Sequence, residues 1–373
     1  MNLQRGGAKM NKKKKIAILS MQRVVNFGSV LQAFSLREMV RQVTDASVTF
    51  IDIDETEMLP SQKSVSESVD YDAPAAYPKG IFQRAKRWSI ARLSAANKRL
   101  IRRFMKEELA LDANSADEQY DCVIVGSDEV FNHRHGVCLQ LHGNVKGTKK
   151  IISYAASCGS ANAGDIYPED MEKVCSAMAQ YAAVSVRDSA TQAYASALYA
   201  GPILHHLDPV LMGDLYKREH RPVPLKNYLL VYAYGQRIRT AEEIDAIRNF
   251  AKKHHLKTVA VGGSQFWCDL YVPATPFRLL DYFYYADYVV TDTFHGAIFS
   301  VINRRKFAVL PRKTNINKIT GLLQDLHLEN RQVASVADLE QILTNDMDYT
   351  AVESILASRR EEAKEYLRNQ LEG

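Results

Sequence analysis

Short apolar runs and amphipathic helical stretches alternate along this chain, first in its front half and again after a break. Residues 16–20 form a compact apolar run, Asn26-Phe27-Gly28-Ser29 a polar glycine turn, residues 30–43 a helical stretch, and residues 47–53 a second strand. A strand with no inside–outside alternation has to be covered on both faces. A helix between two such strands supplies that cover and brings the chain back for parallel pairing. Further strands follow at 121–125, 150–155 and 182–186, and the pattern resumes with a strand at 228–234, a helix at 241–253 and strands at 257–261 and 288–291. This repetition predicts the α/β class, with parallel sheets flanked by helices.

A chain of 373 residues exceeds what one core usually organises, so two domains sharing a cleft are expected. The boundaries read as 14–210 for an N-terminal α/β domain, which ends near Asp208-Pro209, and 225–340 for a C-terminal one. A charged amphipathic helix at 350–373 is expected to pack back on the first domain. Residues 54–80 mix Ser, Asp, Glu and Pro without period and read as a long loop over an active site.

Composition narrows the class. With 46% hydrophobic and 24% charged residues, the chain is an ordinary globular protein. The net charge of +5 is too small and too scattered for a nucleic-acid binder, so no nucleic-acid partner is expected. Cys122, Cys138, Cys158, Cys175 and Cys268 are odd in number and dispersed, which fits a reducing compartment and gives no zinc pattern. Lys12 to Lys15 precede an apolar run too short for a signal peptide, and no apolar stretch is long enough to span a bilayer. A cytoplasmic location is therefore expected.

One segment departs from this average. Residues 82–109 carry Arg84, Lys86, Arg87, Arg92, Lys98, Arg99, Arg102, Arg103 and Lys106 along a helical pattern anchored by Trp88, Leu93, Leu100, Ile101 and Phe104. It reads either as the solvated face of a core-packed helix or as a contact for an anionic membrane surface. The second reading would make the protein peripheral at the inner face of the membrane.

Ligands of open parallel sheets bind beyond the carboxyl ends of the strands. Three strand ends carry polar residues there: Asn26-Phe27-Gly28-Ser29, Gly126-Ser127-Asp128, and Thr291-Asp292-Thr293-Phe294-His295-Gly296. Helix caps use the same residue types, and for the first two that reading stays open. Arg187 ends a strand, where its guanidinium can fork onto a carboxylate or phosphate, or pair with a neighbour such as Asp188. Arg304, Arg305, Lys306, Arg312 and Lys313 follow the helix that His295 leads into and add positive charge. Together these residues describe a site for a small, multiply charged anion, and no carboxylate cluster suggests a metal.

Six motifs together resemble the polysaccharide pyruvyl transferase family: residues 26–33, 125–128, 153–157, 184–188, 207–209 and 286–296, in that order, within residues 15–335. The resemblance implies two Rossmann-like domains with parallel sheets, a GT-B-like arrangement and an active site in the interdomain cleft. It further implies phosphoenolpyruvate as donor substrate, a sugar or lipid-linked oligosaccharide as acceptor, and no cofactor.

Under that resemblance His295 acts as general acid or phosphate ligand, Arg187 binds the donor, and Asp128 activates or orients an acceptor hydroxyl. Asn26 and Gly28 shape the floor, Ser127, Asp292 and Thr293 touch substrate, and Arg312 and Lys313 attract phosphate. Glu129, Phe131, Cys158 and Val210 depart from the residues usual in the family. The rival readings are a glycosyltransferase using a nucleotide sugar and a non-catalytic sugar-phosphate binding protein.

Overall fold

Two parallel sheets carry the chain, and the winding reverses once in each. The computed structural model describes residues 13–54, 56, 58–60, 81–111, 119–133, 136–235 and 237–372. Most of the segment 54–80, including the expected loop, lies outside the described residues, as does Lys12.

The first domain runs through β1 (Lys15–Leu19), α1 (Phe27–Val43), β2 (Ser47–Ile51), the short β3 (Met58–Leu59), α2 (Ile81–Glu107), β4 (Cys122–Asp128) and the short β5 (Val137–Cys138). It continues with β6 (Ile151–Ala156), α3 (Pro168–Met178), β7 (Tyr181–Val186), α4 (Ser189–Ser196), β8 (Ile203–His205) and α5 (Pro209–Met212). Its main sheet has the order β2-β1-β4-β6-β7-β8 with every pair parallel, while β3 and β5 form a separate antiparallel pair. Every residue of β4 and β6 is buried, which explains the unbroken apolar run 122–125 that opens β4.

The second domain comprises β9 (Tyr228–Tyr232), α6 (Ala241–Lys253), β10 (Lys257–Val261), β11 (Leu270–Val272), α7 (Pro276–Tyr284), β12 (Tyr288–Thr291), α8 (Phe294–Ile302), β13 (Lys306–Val309), α9 (Ile316–Asp325) and α10 (Leu339–Thr344). Its sheet order is β11-β10-β9-β12-β13, again all parallel. Local chemistry sets its helices. α6, for example, has Thr240 accepting from the Glu243 backbone N–H, acids in its first turn and Lys252 and Lys253 in its last, each in favourable register with the helix dipole.

The strand orders locate the ligand crevice. The connection changes direction between β1 and β4 in the first sheet and between β9 and β12 in the second. Helices on either side of such a point diverge and leave an opening beyond the strand ends. Asn26 to Ser29 and Asp128 lie at the first reversal, and Asp292 to His295 at the second.

The domains share apolar surface. Phe34 of α1, Phe104 of α2 and Phe277 of α7 meet edge to face, with ring centres 5.0 and 5.2 Å apart in the two contacts to Phe277. Each such pair contributes about 1 kcal/mol beyond area burial. α2 spans the boundary: Ile90 is buried among residues of the second domain, whereas Ile101, Phe104 and Met105 pack with α1 of the first. α11 (Tyr349–Glu372) returns from the second domain to the first. There Tyr366 donates to Ser153 O at 2.7 Å, Arg360 to Leu211 O at 3.0 Å and Lys14 to Leu371 O at 2.9 Å. Leu356 and Leu367 on its inner face are fully buried, each worth about 2 kcal/mol.

Three local expectations are corrected. The turn at Asn26 is already the start of α1, which begins at Phe27 with Asn26 as its N-cap. The strand expected at 121–125 extends through Asp128, and no helix follows it among the described residues before β6. Ser127 and Asp128 are thus the buried end of a strand and do not cap a helix. Finally, Lys306 opens the unexpected strand β13. The run Arg304 to Lys306 therefore lies at the amino end of the second sheet, away from the crevice, where Arg304 faces Glu353 and Lys306 pairs with Asp346 at 2.7 Å.

Candidate active site

The first domain supplies a floor pinned by buried hydrogen bonds. Ser127 Oγ donates to Gln32 Oε1 at 2.7 Å, Gln32 Nε2 donates to Ser20 Oγ at 2.9 Å, and Ser20 Oγ donates to Ser127 O at 3.1 Å. All three residues are buried, and a satisfied network of this kind fixes the strand ends against each other. The same geometry removes two expected contacts: the Ser127 hydroxyl points into this network, and Asn26 Oδ1 is engaged by the Ser29 backbone N–H at 2.7 Å. Asp128 stands at φ 74°, a left-handed conformation that an aspartate tolerates better than most residues, and its Oδ2 accepts from Ser29 Oγ at 2.7 Å.

Above the floor, Arg187, Asp208 and His295 converge from both domains. Arg187 is only 3% exposed; its Nη1 donates to Asp208 Oδ2 at 3.0 Å and lies 4.0 Å from Asp128 Oδ1. Its guanidinium stands 4.4 Å from the centre of the Phe294 ring, a cation–π contact across the domain boundary. Burial opposes the charge on Arg187, but Asp208, Asp128 and Asp188 outweigh it and hold its pKa above the ordinary value. Asp208 is likewise fully buried, which favours its neutral form. His295 and Arg187 overcome this and hold its pKa below the usual carboxylate value.

His295 sits in the first turn of α8 with Nε2 3.5 Å from Asp208 Oδ2, too long for a good hydrogen bond, and Nε2 has no other partner. Its ring lies directly on Gly28: a Cβ there would come within 2.2 Å of Nδ1. Gly28 is therefore the one residue type that lets the second domain's histidine close onto the first domain's floor. The Nε–H of Arg187 is also buried without a partner. A buried donor and a buried imidazole nitrogen left open around one carboxylate, Asp208, suit an anionic oxygen.

The second domain offers a different wall. Asp292 Oδ1 accepts from the Tyr234 backbone N–H at 3.1 Å, while Oδ2 is buried without a hydrogen-bond partner, 3.9 Å from Arg312 Nε. Arg312 Nη1 is held by Glu243 at 2.6 Å, but its Nε and Nη2 are unsatisfied. Gln265 donates to Tyr234 O at 2.9 Å and its Oε1 is left open. Burial pushes Asp292 up to about 6, against the pull of Arg312 and Arg237.

One hydroxyl oxygen can sit within hydrogen-bonding distance of both Asp292 Oδ2 and Arg312 Nε, donating to the first and accepting from the second. Tyr234, 48% exposed with Arg237 stacked 4.5 Å from its ring centre, flanks this pair as an aromatic platform. Thr293 does not join them, because its Oγ1 caps α8 by accepting from Gly296 N at 2.9 Å, and Lys313 stays exposed. Among the described residues, no group of three His, Cys, Asp or Glu side chains is placed to hold a metal ion.

Glu129 closes the cleft from the side. Lys318 of α9 donates to its Oε1 at 2.5 Å and Asn132 to its Oε2 at 2.7 Å. Burial works against its charge, yet Lys318 wins and pulls Glu129 down to about 2. Glu129→Gln is expected to lower stability by about 1 kcal/mol at neutral pH, since it removes one partly buried ion pair. An acid with a depressed native pKa stabilises above its ordinary value of 4.5 and loses that contribution as pH falls towards about 2. Urea unfolding of both proteins across that range should show the difference shrinking; a constant difference would show that the ion pair contributes nothing.

Asp208, Phe294, Tyr234, Gln265 and Lys318 were not singled out from the sequence as site residues. Asp208 was within reach, because an aspartate before proline between two domains stood inside a quoted motif.

The family model for polysaccharide pyruvyl transferases matches residues 26–314, most of the chain, with Asp128, Arg187, Asp208, Asp292, His295 and Arg312 inside the match. The chain belongs to that family. This pyruvyl transferase family member is thus a transferase enzyme, built on two parallel sheets flanked by helices. No curated protein matches its sequence. Among solved structures it is similar to UDP-GlcNAc 2-epimerase from Methanocaldococcus jannaschii, at 10% identity and TM-score 0.47 over 97% of this chain and 100% of that one. It is also similar to UGT89C1 from Arabidopsis thaliana, at 10% identity and TM-score 0.49 over 96% and 100%. A third is the glycosyltransferase SsfS6 from Streptomyces sp. SF2575, at 12% identity and TM-score 0.48 over 96% and 100%. Such remote likenesses carry nothing about the substrate of this pyruvyl transferase family member.

Proposed function

We propose that this enzyme transfers the pyruvyl group of phosphoenolpyruvate to two hydroxyls of one sugar of a surface polysaccharide or its lipid-linked precursor, forming a ketal. The observation that carries the reading is the convergence of Arg187 and Asp208 with His295 across the domain boundary, each basic group keeping an unpartnered buried nitrogen. In the reaction, C3 of the enol takes a proton and becomes a methyl group, one sugar hydroxyl attacks C2, and the C2–O bond to phosphate breaks. A second hydroxyl then closes the ring at C2. The two hydroxyl protons balance the one gained at C3 and the one carried off by inorganic phosphate.

In this reading His295 delivers the proton, with Asp208 stabilising the imidazolium. Arg187 Nε–H binds the donor's carboxylate or phosphate. Asp128, 4.0 Å from Arg187, orients the attacking hydroxyl. Asp292 and Arg312 together hold a second sugar hydroxyl, and Tyr234 offers its face to the sugar ring. Neutralisation of the donor by arginine and a helix N-terminus suffices without a cofactor.

The test is release of inorganic phosphate from phosphoenolpyruvate in the presence of a sugar and lipid-linked glycan panel, run beside nucleotide release from UDP- and dTDP-sugars. Acceptor-dependent phosphate release with formation of a pyruvyl ketal supports the reading. Nucleotide release alone replaces it with glycosyl transfer.

A further inference from the structure

The basic helix α2 is a bridge with one face on both domains and the other in solvent. On the inner side Lys86 Nζ donates to Cys268 O at 2.6 Å and Asn97 Oδ1 accepts from Ala274 N at 3.0 Å, both in the second domain. Ile101, Phe104 and Met105 are buried against the first. With both ends anchored, the outer face is a fixed surface. It carries Arg84, Arg92, Lys98, Arg99, Arg102, Arg103 and Lys106, all exposed, at spacings that keep them on one side. Trp88 lies on the same side, 64% exposed, with Arg92 stacked 4.7 Å from its ring centre.

The other long helix mixes its charges. α11 sets Glu353, Glu361, Glu362 and Glu365 among Arg359, Lys364 and Arg368. α2 holds nine cations and one acid, Glu107, which pairs with Arg103. Since the whole chain is only +5, the remainder is net acidic, and α2 gives the molecule one strongly cationic side.

We infer that the outer face of α2 docks the enzyme on an anionic phospholipid surface. The exposed cations from Arg84 to Lys106 on this helix of 27 residues form a line of charge about 33 Å long, suited to a plane of headgroups. An exposed indole at one end suits the headgroup level, where amphipathic rings sit. A nucleic-acid groove would call for aromatics interleaved with the cations, and this face has a single one, at its end. The inference stands apart from the pyruvyl transfer reading, since none of these outward side chains is among the residues that build the site. No described helix is long and apolar enough to cross a membrane, so such docking would be peripheral.

The experiment uses the full chain with vesicles of phosphatidylglycerol mixed with phosphatidylcholine, and with vesicles of phosphatidylcholine alone, at low and physiological salt. Co-sedimentation only with the anionic vesicles, weakening with salt, is expected. The chain has two tryptophans, Trp88 and the buried Trp267, so a blue shift of emission on binding reports Trp88 entering the interface. The triple variant Lys98→Gln, Arg99→Gln, Arg102→Gln is expected to bind on the order of a hundredfold more weakly. These side chains are exposed, so its thermal midpoint should stay unchanged. Equal binding to both vesicle types, binding of the triple variant at full strength, or binding to duplex nucleic acid without binding to vesicles would each overturn the inference.

Discussion

Alanine in place of His295 is expected to lower kcat by about a thousandfold while the KM for phosphoenolpyruvate changes little. Nε2 faces a carboxylate that is itself ion-paired, at a distance that positions the ring without tying up the nitrogen. A nitrogen left open in this way is free to meet the substrate, whereas a histidine serving the fold would have both nitrogens engaged. Stability should fall by only about 1 kcal/mol, because Asp208 keeps Arg187 and the Val210 N–H, which reaches Oδ1 at 3.0 Å. Steady-state kinetics from phosphate release and a urea titration separate the outcomes. Undiminished kcat would remove His295 from the chemistry, and a raised KM at constant kcat would make it a phosphate ligand.

Arg187→Met should act on both stability and donor binding, and its stability effect is the largest expected in the molecule. The guanidinium lies between Asp208 and Asp128, and without it Asp208 is a fully buried carboxylate left with only the Val210 N–H and an imidazole nearby. Breaking a buried pair from one side costs about 3–5 kcal/mol. Part of that loss should return as pH falls, since Asp208 then becomes neutral and is easier to bury. Arg187→Lys keeps a charge near the carboxylates but lacks the Nε–H donor, so it should retain more stability while the KM for phosphoenolpyruvate rises at least about tenfold. Urea midpoints across acid pH and the donor KM of both variants check this. A methionine variant as stable as the parent would show that the buried carboxylates do not depend on Arg187.

The alternation of apolar runs and helices was enough to read the parallel sheets, because a strand covered on both faces has a composition that few other elements share. The rule that ligands sit beyond strand ends picks out Asp128, Arg187, Asp292 and His295, which the structure gathers at the crevice. What stayed illegible depends on juxtaposition. Asp208 reads as the capped start of a proline-led turn of helix, and its Oδ1 does accept from Val210 N. Its second oxygen takes Arg187 of its own domain, and only the arrival of α8 from the other domain brings His295 beside that pair. Lys318 is one cation among many until α9 is laid against Glu129. Conversely, Asn26, Ser127 and Thr293 looked available, yet a short polar side chain at a strand end tends to bond its own backbone, and local sequence gives no hint of which way it turns.

The bridging of the two domains by α2 and the return of α11 bear on how such an enzyme can diverge. A protein whose halves are joined by one linker can trade a half for a homologous one and acquire a new acceptor in a single recombination. Here three stretches of chain cross between the halves, counting the one from α5 to β9, and the apolar cluster of Phe34, Phe104 and Phe277 belongs to both. A transplanted half would bring the wrong surface to that cluster and lose one of its own straps. New acceptors in this lineage should therefore arise by point changes around Tyr234, Gln265 and Arg312, and domain shuffling should leave few viable descendants.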